Sequence, residues 1–204
     1  MTARVAGPVA ADQETGRRRR RPAAGARVCC ASVTALMAWL VPAAGTGRDE
    51  VAAVIGRLAA AHGGPRFPPH VTVVAGFAAA EDEAARALGS LAAGVPPVRV
   101  SFAAFGYEQE YFRSLYLRAE PSRPLEELHE AARRAWRVPP ARYRPHLSLL
   151  YSRLGADAKR AIIGGIGLAL PVTLVFDAVE LWAGAGAGVG GWRRVARAPL
   201  RPPP

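Results

Sequence analysis

The sequence predicts an α+β fold with two similar lobes: a bilobal pseudo-two-fold duplication in which two antiparallel sheets face a central groove and helices lie outside. Two observations carry this prediction. Strand and helix patterns follow the order β-α-β-α-β and then β-α-β-α-β-β, an internal duplication of pattern without identity of residues. A short motif also occurs once in each half, as Pro-His-Val-Thr at residues 69–72 and as Pro-His-Leu-Ser at residues 145–148.

The elements of the first lobe are predicted from apolar spacing and from the Gly and Pro residues between them. A helix is predicted from Thr46, which can cap it, to Gly63, because apolar residues recur between them at helical spacing. The other elements of this lobe are strands at Ala35–Val41, His70–Phe77 and Val98–Phe105 and a helix at Glu81–Leu91.

The second lobe repeats this order with one additional strand. A third helix is predicted to begin at Pro121–Pro124 and to stop at Pro139-Pro140. The other elements are strands at Tyr111–Ala119, His146–Tyr151, Val172–Trp182 and Trp192–Ala198 and a short helix at Ala156–Ile163. Residues 184–191 are rich in Gly and are predicted as a hairpin loop. They lack the Lys-Ser/Thr ending of a phosphate-binding P-loop.

Composition narrows the class of protein. The chain has 204 residues, half of them apolar, which is enough for one sizeable core. The formal net charge is +11, of which residues 1–36 carry +5 and the remainder +6, and a basic body suits an anionic ligand. The only cysteines are Cys29 and Cys30, so neither a disulfide framework nor a Cys-rich zinc site is predicted in the body. No apolar run is long enough for a transmembrane helix.

The amino-terminal segment allows two interpretations. Residues 17–45 resemble a signal peptide, with an Arg run, an apolar stretch and a small-residue exit at Pro42–Gly45. We favour the other interpretation, because cleavage after Ala44 would remove a strand that the rest of the pattern requires. Residues 1–35 are then a disordered or targeting extension, and residues 36–204 form the domain. We expect a cytoplasmic protein, with organelle targeting through the Arg-rich extension as the alternative.

The repeated motif predicts a catalytic cleft. Residues i and i+2 of a strand face the same side, so His70 points with Thr72, and His146 points with Ser148. Two such strands side by side would bring two imidazoles and two hydroxyls to one groove. Because an imidazole titrates near pH 6.5, one histidine can accept a proton while the other donates one. The hydroxyls can donate hydrogen bonds to phosphate oxygens that gain charge in the transition state.

These residues suit the hydrolysis of a cyclic phosphate diester by an in-line water. The sequence does not decide which histidine is the base; our working assignment is His146 as base and His70 as acid. No acidic or His/Cys cluster is available to hold a metal, so we predict a reaction that needs no cofactor and resists EDTA. We also predict a bell-shaped dependence of rate on pH that belongs to the coupled pair.

The paired His-x-Thr and His-x-Ser motifs resemble those of the two-histidine (2H) phosphoesterases, in particular the cyclic phosphodiesterases of plants and fungi. The resemblance covers roughly residues 36–200 and rests on the stretches Ala38–Pro42, Gly63–Val74, Phe112–Leu117 and Pro145–Tyr151. It implies a bilobal fold and hydrolysis of ADP-ribose 1'',2''-cyclic phosphate or nucleoside 2',3'-cyclic phosphates. It also implies that Tyr151 lines the pocket beside the two motifs. The plant enzymes have core cysteines that this body lacks, so thiol-linked regulation is not transferred.

Several other residues have two interpretations each. Arg113, Arg142 and Arg144 can contact a phosphate or simply face solvent. Phe112 and Tyr116 can stack on a base or pack in a core, and Tyr151 can contact a ligand or pack in the core. We give no catalytic role to His62, which ends a helix, where a cation is favoured. We expect His129 at the surface and Trp39 and Trp182 in the core.

Three functions compete. The first is a cyclic phosphodiesterase for small molecules. The second is a phosphodiesterase for RNA 2',3'-cyclic ends or oligonucleotides, which an Arg stripe leading out of the groove would favour. The third is a module that binds cyclic phosphates or RNA without turnover. The expected partners are a small cyclic phosphate or RNA ends, without a membrane, and we expect a monomer.

Overall fold

Every strand of the sheet pairs antiparallel with its neighbours in the computed structural model, which describes residues 33–201. The strands are β1 (Thr34–Pro42), β2 (Val71–Ala79), β3 (Val98–Tyr107), β4 (Leu115–Ala119), β5 (His146–Leu150), β6 (Val172–Ala183) and β7 (Arg193–Pro199). The helices are α1 (Thr46–His62), α2 (Glu81–Ala93), α3 (Arg123–Ala135) and α4 (Ala156–Gly165). Short 3-10 turns lie at Tyr111–Arg113 and Val189–Gly191.

The sheet closes on itself. Its order is β1-β2-β5-β4-β3-β6-β7, and β6 also pairs with β1, so six strands form a ring with β7 outside it. One half of the ring consists of β6, β1 and β2, and the other consists of β5, β4 and β3. These halves meet at two seams. At one seam β3 pairs with β6 over five residues, and at the other β2 and β5 are joined by the single pair Val71 and Leu147. The predicted α+β class, with antiparallel strands and helices outside, is confirmed.

Strand β1 has apolar side chains on both faces because both faces are covered. Leu36, Ala38 and Leu40 belong to the main core, which also takes the apolar faces of α1 and α2. Met37 and Trp39 face the other way and pack with Trp182 and Trp192.

Strand β1 pairs with both β2 and β6, so the strand expected at Ala35–Val41 is a central one. Removing it by cleavage after Ala44 would leave both neighbours with unpaired edges. The predicted extension lies outside the described residues, apart from its last three.

Two local predictions were wrong. The amino-terminal cap of α1 is Gly45 and not Thr46, and no side chain bonds the first turn. The strand predicted from Tyr111 begins only at Leu115, because residues 111–113 form a 3-10 turn. That turn removes the strand alternation expected between Phe112 and Tyr116. Within residues 33–201, none of the helices is both long and apolar enough to cross a membrane.

Candidate active site

The seam between β2 and β5 brings the two histidine motifs together. Val71 and Leu147 form the only register pair of this seam in the described part of the chain, and both side chains are fully buried on the core side. Extending this antiparallel register by one residue in each direction sets His70 opposite Ser148 and Thr72 opposite His146. The four polar side chains therefore share the opposite face and are related by an approximate two-fold axis at the buried pair.

The two histidines lie on a diagonal of this arrangement. Residues related in this way across an antiparallel pair are separated by roughly 7–8 Å at the backbone. A phosphate group fits between two imidazoles at that separation. The motifs thus present one histidine and one hydroxyl on each side of a central position.

Both imidazoles are held in the same way. The Nδ1–H of His70 donates to the carbonyl of Pro68 at 2.8 Å, and the Nδ1–H of His146 donates to the carbonyl of Arg144 at 3.0 Å. Each acceptor lies two residues before its histidine. With Nδ1 engaged, Nε2 is the nitrogen that remains to exchange a proton with a ligand.

The environment of the two histidines is not equal. His70 is 4% exposed and stacks on Trp39 with a ring separation of 3.8 Å. Burial lowers the pKa of His70 to about 4, against the opposing effect of the Pro68 carbonyl, and the nearby His146 lowers it further. Burial also lowers the pKa of His146, where Arg113 adds to the lowering and Glu108 opposes it.

The hydroxyl residues and Tyr151 lie against the same cavity. Ser148 is buried, and its Oγ–H donates to the Phe112 carbonyl at 3.3 Å, a long contact that a phosphate oxygen can replace. Tyr151 is buried and stacks on Phe67 at 4.0 Å. Burial raises the pKa of Tyr151, so its phenol stays protonated and can donate a hydrogen bond.

The cavity has a volume of about 560 Å³, and its walls are largely apolar and include four aromatic side chains. It brings together all five residues that the sequence proposed for the site. Its lining residues are Ala35, Met37, Trp39, His70, Thr72, Ala75, Gly76, Phe112, Arg113, His146, Ser148, Tyr151, Ala185, Gly186, Ala187 and Trp192. The Gly-rich loop thus forms part of the rim. In residues 33–201, no group of three or more His, Cys, Asp or Glu side chains is placed to hold a metal, and metal independence stays a prediction.

Sequence reasoning missed two walls of this cavity. Trp39 was assigned to the core, and it is 1% exposed, yet its ring covers His70. Trp192 was assigned to the start of a strand, and it lies 5.8 Å from the ring of the exposed Phe112. Alternation along β1 could have identified Trp39, because it has the opposite parity to Leu36 and Leu40.

His129 was predicted wrongly as a surface residue. Its side chain is buried on the face of α3 that packs against β2. The Nδ1–H donates to the Val73 carbonyl at 2.7 Å, and the ring stacks on Tyr143 at 4.0 Å. The acidic neighbours on α3 made this face look more polar than it is.

The three arginines considered as phosphate contacts separate into two groups. Arg113 lines the cavity of the two histidines, whereas Arg142 and Arg144 line two adjoining cavities. Tyr116 also lines an adjoining cavity, although its ring lies 5.1 Å from that of His146.

Comparison with known proteins identifies the family of this chain. Residues 47–188 match the family model of the 2'-5' RNA ligase superfamily, which covers more than half of the chain. The chain belongs to the 2'-5' RNA ligase superfamily. The resemblance to two-histidine phosphoesterases is thereby confirmed. The narrower plant and fungal branch stays a prediction.

Solved structures with a similar fold match most of the chain. Escherichia coli LigT complexed with ATP is 22% identical, with a TM-score of 0.53, over 83% of this chain and 99% of that one. TT0787 of Thermus thermophilus is 17% identical, with a TM-score of 0.55, over 82% and 98%. LigT in its apo form is 19% identical, with a TM-score of 0.54, over 83% and 99%. No curated protein sequence matches the chain significantly.

Proposed function

We propose that this superfamily member hydrolyses ribose cyclic phosphates to a phosphomonoester by acid–base catalysis from His70 and His146, without a metal. The candidate substrates are nucleoside 2',3'-cyclic phosphates and ADP-ribose 1'',2''-cyclic phosphate. The supporting observation is the seam between β2 and β5, which sets two identically tethered imidazoles across one cavity. Structures of LigT hold ATP, phosphate, NADP⁺ or 3'-AMP, which are all phosphate compounds.

The two-fold arrangement suits an in-line displacement. The attacking water and the leaving ribose oxygen must lie on opposite sides of the phosphorus, and the motifs supply one histidine to each side. The base takes a proton from the water as its oxygen bonds to phosphorus. As the P–O bond to one ribose oxygen breaks, the acid gives that oxygen a proton, so the products are a monoester and a free hydroxyl.

The unequal burial supports His70 as the base, which reverses our working assignment. A base must begin neutral, and burial lowers the pKa of His70 to about 4. The acid must begin protonated. His146 is less enclosed, and the negative charge of a bound cyclic phosphate favours its imidazolium form. Thr72 and Ser148 would donate to the non-bridging oxygens, where one such donor is typically worth about 10²–10³ in rate.

The test is product analysis by phosphorus NMR with the full chain in EDTA. The wild type would be incubated separately with each candidate substrate, beside His70→Ala and His146→Ala. The matched control is His62→Ala, because His62 is exposed at the end of α1. Turnover to a single monoester is expected for the wild type and the control. Each active-site variant should lose at least about 10²-fold in rate, the lower range for one proton transfer.

Two outcomes would contradict the proposal. Activity at the wild-type rate in either active-site variant would exclude paired acid–base catalysis. The absence of turnover by the folded wild type would exclude the small-molecule function, and cyclic-phosphate-ended RNA would be tested next. Binding of that RNA without turnover would identify a binding module.

A further inference from the structure

A second cavity, of about 400 Å³, adjoins the cavity of the two histidines, and four of its eight lining residues are arginines. Arg113 lines both cavities, and Arg118, Arg142 and Arg144 line the second. A third cavity, of about 280 Å³, connects them on one side, because its lining includes Thr72 and His146 as well as three of these arginines. The catalytic cavity is therefore one end of a longer groove with a basic floor.

The register of the sheet places this basic region beside a catalytic residue. Arg118 on β4 is the register partner of His146 on β5, and paired residues present their side chains on the same face. Tyr116, two residues earlier on β4, lies with its ring 5.1 Å from the ring of His146 and beneath the Arg113 guanidinium. A group bound by these arginines would thus be a direct neighbour of a group bound at His146.

Two of the four arginines, Arg113 and Arg144, are held in place by a single carboxylate. Glu108 Oε1 accepts from Arg113 at 2.9 Å, from Arg144 at 3.2 Å and from the Tyr116 hydroxyl at 3.2 Å. The backbone of Glu108 is fixed in turn, because its carbonyl accepts from the buried Lys159 at 2.6 Å. The Arg113 guanidinium also lies over the Tyr116 ring. These contacts orient the guanidinium groups in advance and so reduce the cost of binding an anion.

One carboxylate does not balance four guanidinium groups. Within residues 33–201, neither Arg118 nor Arg142 has a carboxylate within 4.0 Å, and both are exposed. The Nε of Arg113 is buried without a hydrogen-bond partner in the same part of the chain. The groove therefore retains a positive field and free guanidinium donors, which match the oxygens of a phosphate.

We propose that Arg113, Arg118, Arg142 and Arg144 bind a second phosphate group of the substrate, next to the cyclic phosphate held by the two histidines. This rests on the proposed function and narrows it: the substrate is a ribose cyclic phosphate that carries a further phosphate. Either an internucleotide phosphate at an RNA end or the pyrophosphate of an ADP-ribose compound supplies that chemistry. A nucleoside cyclic phosphate alone leaves the second cavity without its ligand.

The test compares matched substrates on the full-length protein. A nucleoside 2',3'-cyclic phosphate is compared with its 5'-phosphorylated form, with a dinucleotide that ends in the same cyclic phosphate, and with ADP-ribose 1'',2''-cyclic phosphate. The wild-type kcat/KM should be roughly 10- to 100-fold higher when a second phosphate is present, the range for one charge-assisted hydrogen bond. Preference for the dinucleotide over the ADP-ribose compound would identify an RNA end as the source, and the reverse preference would identify the pyrophosphate.

Two double variants distinguish an effect of this cavity from an effect of the protein's overall positive charge. Arg118→Gln with Arg142→Gln should reduce the substrate ratio to near one and flatten the slope of log affinity against log salt by about 0.7 for each phosphate that is no longer neutralised. Arg86→Gln with Arg99→Gln removes the same charge from exposed positions outside the groove and should leave the ratio unchanged. A ratio near one in the wild type, or equal losses in both double variants, would overturn the proposal.

Binding measurements keep this test independent of turnover. The affinities of a nucleoside 3',5'-bisphosphate and a nucleoside 3'-phosphate can be compared by calorimetry even if no substrate is hydrolysed. A bisphosphate preference that disappears in the Arg118 and Arg142 double variant would support the second site while the proposed hydrolysis fails. Equal affinities of the wild type for the bisphosphate and the monophosphate would exclude the second site, whether or not the protein is active.

Discussion

Gly106 lies on β3, beside the strand β4 that carries Tyr116. A methyl group added at Gly106 tests whether the position of Tyr116 supports the site. Gly106 on β3 is the register partner of Tyr116 on β4, and the Tyr116 ring folds over the position where a Cβ would lie. A Cβ at residue 106 would stand 2.5 Å from the ring carbon Cε2, 2.6 Å from Cζ and 2.9 Å from the hydroxyl. Because these are parts of one ring in a buried position, the Gly106→Ala substitution must move Tyr116.

The size of the displacement follows from the contact distances. Ordinary carbon contacts begin near 3.4 Å, so the ring must retreat by about 1 Å. Tyr116 lies edge-on to His146 at 5.1 Å, and its hydroxyl donates to Glu108 at 3.2 Å, so the movement reaches both the His146 imidazole and the carboxylate that holds Arg113. A misplacement of about 1 Å typically costs on the order of 10²-fold in rate. Overpacking of this kind also costs about 1–3 kcal/mol of folding free energy.

The assay measures kcat/KM on the cyclic phosphate together with the Tm. Gly106→Ala should lose roughly 10²-fold in kcat/KM while folding cooperatively, with the Tm lower by roughly 2–10 °C. The control is Gly89→Ala, whose Cβ meets nothing within 4 Å on α2 and should be neutral or slightly stabilising. In a Tyr116→Ala background the added methyl group should have little further effect. Unchanged kcat/KM and Tm in Gly106→Ala would refute the reasoning.

Two further predictions concern the chemistry. The base must be neutral and the acid protonated, so kcat/KM should rise with pH through the His70 pKa of about 4 and fall as His146 deprotonates, at a pKa below its ordinary 6.5. Trp39→Phe admits water to His70 and should therefore raise its pKa, which moves the acidic limb of the profile to higher pH. A kcat/KM that is constant from about pH 4 to 8 would contradict paired acid–base catalysis. Ser148→Ala should lower kcat by about 10²-fold. The control is Ser90→Ala, because Ser90 is exposed. Equal activity of the two variants would show that Ser148 does not bind the transition state.

The order and type of the elements could be predicted because their signals are local. Helix α1 runs to His62 as predicted, since Gly63 takes the left-handed conformation that ends it. The closure of the sheet could not be predicted in this way. The pairing of β1 with β6 joins residues about 140 positions apart in sequence, and no local pattern records which strand lies beside which.

The site was predictable as far as its residues share a motif. His70, Thr72, His146, Ser148 and Tyr151 lie around one cavity, as the two motifs and the family resemblance indicated. The walls were harder to predict because an aromatic ring in a strand has the same appearance in sequence whether it faces a core or a groove. Trp192 shows this, and so does the arginine groove, whose members come from β4 and from two separate loops.

The two histidine motifs have the same local geometry but different surroundings. The two motifs share two features. They flank the register pair of Val71 and Leu147, and each histidine donates to the carbonyl two residues before it. Their surroundings differ, because Trp39 covers His70 whereas the basic cavity opens beside His146. A symmetric pair would have no reason to divide the acid and base roles. Burial beneath Trp39 supplies that reason, because it lowers the pKa of His70 and so favours the neutral base. Under the proposed function, the scissile phosphate would lie between the histidines, and the rest of the substrate would extend past His146 along the arginine-lined cavities.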